Sequence, residues 1–216
     1  MKNLRLKICG LRDNIEDVVR LEPDYAGFIF YERSPRYVGI DFNMPVMPDS
    51  IKKVGVFVNE SFNKLLEFTE KYKLDFVQLH GNESPELCAK LKSSGIGIIK
   101  AFPVGKEFDF RQLDPYEPVV DYYLFDTKTS AYGGSGRTFD WNLLKSYDLE
   151  KQFLLGGGIG LENIDDLAQI DLAKVHALDV NSRFEIRPGL KNITSLQKFI
   201  GKLNMINPNK QISNSK

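Results

Sequence analysis

Cysteine and histidine are scarce in this chain: two of each among 216 residues. Cys9 and Cys88 are too few for a disulfide scaffold or, on their own, a zinc site. His80 and His176 cannot furnish a His-rich centre, so no metal is expected. Net charge is missing too, with 29 Lys+Arg set against 29 Asp+Glu. A nucleic-acid or membrane-surface partner favours a basic excess, so neither is expected. No apolar run reaches the ~18 residues of a membrane span. Arg5 and Lys7 also interrupt the segment that a signal peptide would use, which points to a soluble, cytoplasmic protein. Absent as well are G-x-x-x-x-G-K-[ST], H-E-x-x-H and a G-x-G-x-x-G opening a helix after the first strand, so no nucleotide machinery is expected.

What is present is a repeating unit. Short runs rich in Val, Ile and Phe occur at 4–9, 25–30, 53–58, 76–80, 97–102, 119–126, 152–156 and 175–180, and read as buried parallel strands. Between most of them, apolar residues at three- and four-residue spacing predict helices over 14–21, 61–72, 85–91, 141–147, 161–170 and 193–203. Ser61 and Ser84 suit N-caps, and Pro85 suits a first helical turn. Prolines 45, 48, 103 and 115 reduce the connections after the second and fifth strands to short helices or loops. Eight units in 216 residues sit close to the ~30 residues of a βαβ unit. With no compositional break, they favour one (β/α)8 barrel over an open doubly wound sheet of five or six strands. The expected division is a barrel over 1–206 and a polar, frayed tail over 207–216.

In such a barrel, chemistry sits at the carboxyl ends of the strands. Here those ends carry Cys9, His80, Asp126, and Asp179 with Asn181, while alternation sets Lys7 on the face of Cys9 and Gln78 on that of His80. If these face the lumen, a thiol, an imidazole, acids and a lysine converge on one mouth, which suits acid–base chemistry. Each has a plainer reading: a buried inert thiol for Cys9, a turn cap for His80, and an N-cap or loop ligand for Asp126. Glycine-rich loops follow strands six and seven, at Gly133–Gly134–Ser135–Gly136 and Gly156–Gly157–Gly158, and Asn181–Ser182 follows strand eight. Between strand seven and a helix expected to begin near Gly160 or Leu161, the triple glycine suits a phosphate held by backbone amides and a helix N-terminus. The 133–136 stretch reads as a mobile loop able to close over substrate.

Several motifs together resemble one family. They are Lys7–Ile8–Cys9–Gly10, Ser34–Pro35–Arg36–Tyr37, Gln78–Leu79–His80–Gly81, Tyr132–Gly133–Gly134–Ser135–Gly136 with Thr138–Phe139–Asp140–Trp141, and Leu178–Asp179–Val180–Asn181–Ser182. In this order they resemble the phosphoribosylanthranilate isomerases of tryptophan biosynthesis. The resemblance implies a TIM barrel of the ribulose-phosphate-binding type, and an aldose–ketose isomerase acting without cofactor by an Amadori rearrangement. It further implies Cys9 as general base and Asp126 as general acid. Arg36, His80 and Asp179 become substrate-binding candidates, Arg36 for the anthranilate carboxylate and Asp179 for the sugar region. Gly156, Gly157, Gly158, Asn181 and Ser182 become the phosphate-binding candidates.

That assignment makes physical demands. Cys9 needs electropositive surroundings, to which Lys7 is a candidate contributor. Asp126 needs a raised pKa, through desolvation or a neighbouring carboxylate such as Asp179. Arg183 stands where the family usually has Gly. The expected partner is a small phosphorylated molecule, with the chain a monomer or homodimer. Three alternatives remain open: another sugar-phosphate barrel isomerase, a Schiff-base lyase using Lys7 or Lys100, and a phosphate-binding barrel without catalysis.

Overall fold

A computed structural model describes residues 4–127 and 140–206. Eight parallel strands close into a barrel in chain order. They are β1 (Arg5–Ile8), β2 (Tyr25–Ile29), β3 (Lys52–Phe57), β4 (Phe76–Leu79), β5 (Gly97–Val104), β6 (Tyr122–Thr127), β7 (Phe153–Leu155) and β8 (Val175–Val180). Closure is made by β1 lying parallel to β8, with Lys7 opposite Asp179 in register. The expected architecture is therefore the observed one. The 133–136 loop and the 207–216 tail lie outside the described residues.

Helices α1 (Ile15–Val19), α2 (Phe62–Tyr72), α3 (Pro85–Ser93) and α4 (Ile193–Ile206) pack outside the barrel. Ser61 and Ser84 cap α2 and α3, accepting from the amides of Lys64 and Leu87, and Pro85 opens α3. After β2 the chain runs without regular helix, as its prolines require. The other outer connections are 3-10 helices at Phe110–Tyr116, Trp141–Ser146 and Ile164–Gln169. One element was not expected: a hairpin of β9 (Glu185–Arg187) and β10 (Leu190–Lys191), between β8 and α4. Asn14 ties it to the start of α1, since its side chain both accepts from the Lys191 amide and donates to the Lys191 carbonyl.

Alternation along the strands divides the apolar residues between two cores. Residues such as Leu6, Ile8, Phe28, Val77, Phe125 and Leu178 point outward to the helices. Val54, Ile99, Leu124, Leu154 and Ala177 fill the lumen. Each large apolar side chain removed from water contributes about 1.5–3 kcal/mol. The lumen packing also floors the barrel, so a small molecule can enter only from the carboxyl ends of the strands. Near the amino ends, Tyr25 hydroxyl meets His176 Nε2 at 2.6 Å, and the Tyr122 ring stacks on the imidazole at 3.8 Å. The β7–β8 register skips His176, so His176 and Ala177 both reach the interior while Asp179 still points inward at the mouth.

Candidate active site

A cavity opens at the carboxyl ends of the strands, where a barrel of this kind takes its ligand. Cys9, Gln78, His80, Asp126 and Asp179 line it from β1, β4, β6 and β8, or from the residue just past a strand's end. The convergence expected from the sequence is thus present. Ile29, Val56 and Val58 add an apolar wall.

Lys7 is the hub of the polar side. It is fully buried, and its ammonium donates to Gln78 Oε1 at 2.7 Å and Asp179 Oδ1 at 2.8 Å. It also lies close enough to the Cys9 thiol for their charges to interact. Burial works against its charge, but Asp179 and Cys9 outweigh it, and the Lys7 pKa rises above its ordinary value. Around Cys9 the balance goes the other way. Burial pushes the thiol up, Lys7 and Lys191 pull it down, Asp179 pushes it up further, and the net shift is upward. The electropositive surroundings expected for Cys9 exist, yet burial outweighs them. Asp179 is likewise raised by burial against the pull of Lys7, with Asp126 adding to the upward push.

Room for the thiol comes from β2. A Cβ on Gly27 would lie 2.8 Å from Cys9 Sγ, so only glycine leaves that space. Across the mouth, Asp126 Oδ1 accepts from the Thr127 amide at 2.8 Å, and Asp126 Oδ2 lies 3.4 Å from His80 Nε2. His80 therefore faces a carboxylate in the cavity rather than capping a turn, and Asp126 is open to the cavity as well as bound to its neighbouring amide.

On the opposite wall, Gly157, Gly158, Asn181 and Ser182 line the cavity. Gly157 takes φ +80°, and a Cβ there would strike Thr127 Oγ1, so this backbone reaches the mouth only as glycine. Gly156 is withdrawn from the group: it is buried, and its amide donates to the Phe125 carbonyl at 2.8 Å. The helix expected from 161 begins only at Ile164 and is 3-10, so no helix N-terminus stands directly behind Gly158. Asn163 shapes the turn instead, accepting from the Gly160 amide and donating to the Gly158 carbonyl. Arg183 lines the same wall and pairs with Glu162.

Arg36 lies at the cavity's edge. Its backbone amide donates to Ser34 Oγ, a lining residue, and its Cδ crosses over Gly10 beside Asn181. Through Nε and one terminal nitrogen it grips Glu185 at 2.7–3.0 Å. Lys191 meets the same carboxylate at 2.8 Å and also donates to Asn181 Oδ1 at 2.8 Å. Burial pushes the Glu185 pKa up, but Arg36 and Lys191 outweigh it and hold it below its ordinary value. Sequence reasoning missed Glu185, Lys191 and the bridging role of Gln78. The one available signal was the pair of opposite charges flanking Pro188–Gly189, a hairpin turn just after β8.

Lys100, a Schiff-base candidate, is tied down on all sides. It donates to the carbonyls of Leu79, Gly81 and Ala101 and pairs with Glu83 at 3.1 Å. Lys7 is equally committed, so neither amine is free for a carbonyl substrate.

Residues 6–202 match the family model described as N-(5'phosphoribosyl)anthranilate (PRA) isomerase. An N-(5'-phosphoribosyl)anthranilate isomerase of Parabacteroides distasonis is 47% identical over 201 residues, covering 90% of this chain and 91% of that protein. Among solved structures, phosphoribosyl anthranilate isomerase from Thermotoga maritima superposes with a TM-score of 0.80 at 36% identity, over 94% of this chain and 99% of that one. Another, in complex with reduced 1-(o-carboxyphenylamino)-1-deoxyribulose 5-phosphate, superposes with a TM-score of 0.75 at 33% identity, over 94% and 99% of the two chains. With its barrel closed, its polar residues gathered at one mouth and its length matched throughout, this chain belongs to the N-(5'-phosphoribosyl)anthranilate isomerase family.

Proposed function

We propose that this chain converts N-(5'-phosphoribosyl)anthranilate to 1-(2-carboxyphenylamino)-1-deoxyribulose 5-phosphate, with Asp126 as general acid and Cys9 as general base. The observation that carries this reading is that both residues line one cavity, on β6 and at the end of β1, three strands apart around the barrel. Asp126 gives its proton to the ribose ring oxygen as the C1–O bond breaks, leaving an iminium conjugated with the aniline nitrogen. The Cys9 thiolate then takes the C2 proton, and the electron pair of that C–H bond neutralises the iminium to give an enolamine. Ketonisation moves a proton from the C2 hydroxyl to C1. Atoms and electrons balance within the substrate, so the rearrangement itself needs no redox partner.

The burial of Cys9 fits this order of events. Burial works against the thiolate, while Lys7, Lys191 and the iminium cation that develops beside it favour the thiolate when the base is needed. Arg36 offers the anthranilate carboxylate the part of its guanidinium not committed to Glu185. His80 and Asp179 face the sugar. Phosphate is held by the amides of Gly157 and Gly158 and the turn at Asn181–Ser182, which line the far wall.

Between the alternatives, the commitment of Lys7 and Lys100 disfavours a Schiff-base lyase. A barrel isomerase using two carboxylates is disfavoured by the thiol at the end of β1. The test is turnover of freshly prepared N-(5'-phosphoribosyl)anthranilate by the purified chain, followed as loss of anthranilate fluorescence. Saturable turnover is expected. Binding of the reduced product analogue without turnover would instead favour a phosphate-ligand-binding barrel.

A further inference from the structure

An ammonium can only donate, and Lys7 donates to Asp179 and Gln78. This fixes the orientation of the Gln78 amide, because the end facing Lys7 must be the oxygen. The other end, Nε2, then lies 2.8 Å from His80 Nδ1 and can only donate to it. A ring nitrogen that accepts carries no proton, so the imidazole proton sits on Nε2, the nitrogen facing Asp126 Oδ2 at 3.4 Å.

We propose that Gln78 is a positioning residue that transmits the fixed polarity of Lys7 to His80, holding it as the neutral Nε2–H tautomer with its proton toward Asp126. The inference rests on the reading of Asp126 as the general acid. For His80 to become an imidazolium, Nδ1 must gain a proton and lose the Gln78 bond, so His80 does not compete for the proton that Asp126 delivers. Once that proton has gone to the ring oxygen, the Nε2–H faces the new carboxylate and stabilises it. Lys7, Gln78 and His80 thus form one chain from the thiol that takes a proton to the carboxyl that gives one. Asp126 and Asp179 are the carboxylates this chain touches, and both favour a donor rather than an acceptor facing them.

The test is nitrogen NMR of the full chain carrying 15N-labelled histidine, with His80→Gln used to assign the signals, since His176 is the only other histidine. In the parent, His80 is expected to show a protonated Nε2 and a bare Nδ1. Gln78→Glu keeps the side-chain length and the pairing with Lys7 but presents only acceptors to Nδ1. It is expected to move the ring proton to Nδ1 or add a second one, and to lower kcat on the order of tenfold or more. Binding of the reduced product analogue should change far less. Gln78→Met is a second variant free of new charge, and it should let both ring tautomers of His80 be populated. A parent His80 found as Nδ1–H or as imidazolium overturns the proposal. So does a Gln78→Glu protein whose tautomer is unchanged, or whose tautomer changes while kcat does not. Failure of Asp126 as the acid is separately visible, because Asp126→Asn would then retain turnover while the parent tautomer still reads Nε2–H.

Discussion

Lys7 and Asp179 occupy paired register positions on β1 and β8, and their ammonium and carboxylate meet at 2.8 Å where the barrel closes. Lys7 is fully buried and the Asp179 side chain only 10% exposed, so neither charge can be solvated if the other is lost. Lys7→Met is expected to destabilise the fold by about 3–5 kcal/mol, by stranding a buried carboxylate. Adding Asp179→Asn should recover part of that loss. Urea unfolding of the two single variants and the double variant measures the coupling, and strictly additive losses would contradict it.

The thiol of Cys9 is held above its ordinary range by burial, with Asp179 adding to the effect. Asp179→Asn removes an anion that disfavours the thiolate, so the Cys9 pKa must fall. Thiolate absorbance against pH, recorded in a Cys88→Ala background, measures this directly. Cys88 itself is pushed up to about 11 by burial, so even in the parent it ionises only in strong alkali. An unchanged Cys9 titration in Asp179→Asn would show that the two groups do not interact.

Glu185 anchors Arg36 and Lys191 together, and all three side chains are buried. Glu185→Gln leaves the Arg36 guanidinium weakly held, so KM for substrate should rise on the order of tenfold with kcat much less affected. The variant should also lose roughly 3 kcal/mol of stability at neutral pH. Because the folded pKa of Glu185 lies below its unfolded value, its contribution is fully present above about pH 4.3 and fades as pH falls through the lower folded value. The stability gap between parent and variant should therefore shrink in acid. A gap that stays constant with pH would mean that the carboxylate charge is not what matters.

Strands were the most legible part of the chain. Runs of β-branched and aromatic residues mark all eight, and Cys9 and His80 fall one residue beyond β1 and β4, at the mouth where expected. The connections were less so. Over 161–170 the apolar spacing suggested a helix, but Asn163 takes the Gly160 amide and the Gly158 carbonyl into a local turn, and the helix starts late and tight. The β9–β10 hairpin has only three- and two-residue strands, too short for periodicity to register. Glu185 went unseen for a related reason: its partner Arg36 lies 149 residues away, and only the closed barrel brings them together. Alternation puts Gln78 on the right face, but its role depends on which atom Lys7 meets.

Arg183 lines the same cavity wall as Gly157 and Gly158, and it pairs with Glu162. Arg183→Ala leaves the Glu162 carboxylate uncompensated near the wall proposed to hold phosphate. KM should rise several-fold, and inorganic phosphate should inhibit more weakly. Adding Glu162→Gln should reverse most of that change. A double variant no better than Arg183→Ala would mean that the guanidinium itself holds the phosphate.

The division of labour between Cys9 and Asp126 is tested most directly by measuring single turnover and ligand binding side by side in Cys9→Ser and Asp126→Asn. Loss of a general acid or base typically costs about 10²–10⁴-fold in rate. Both variants are therefore expected to bind the reduced product analogue within a few-fold of the parent and to turn over substrate at least about a hundredfold more slowly. A variant that keeps turnover within tenfold, or whose rate falls only as far as its binding does, would contradict the assignment of that residue.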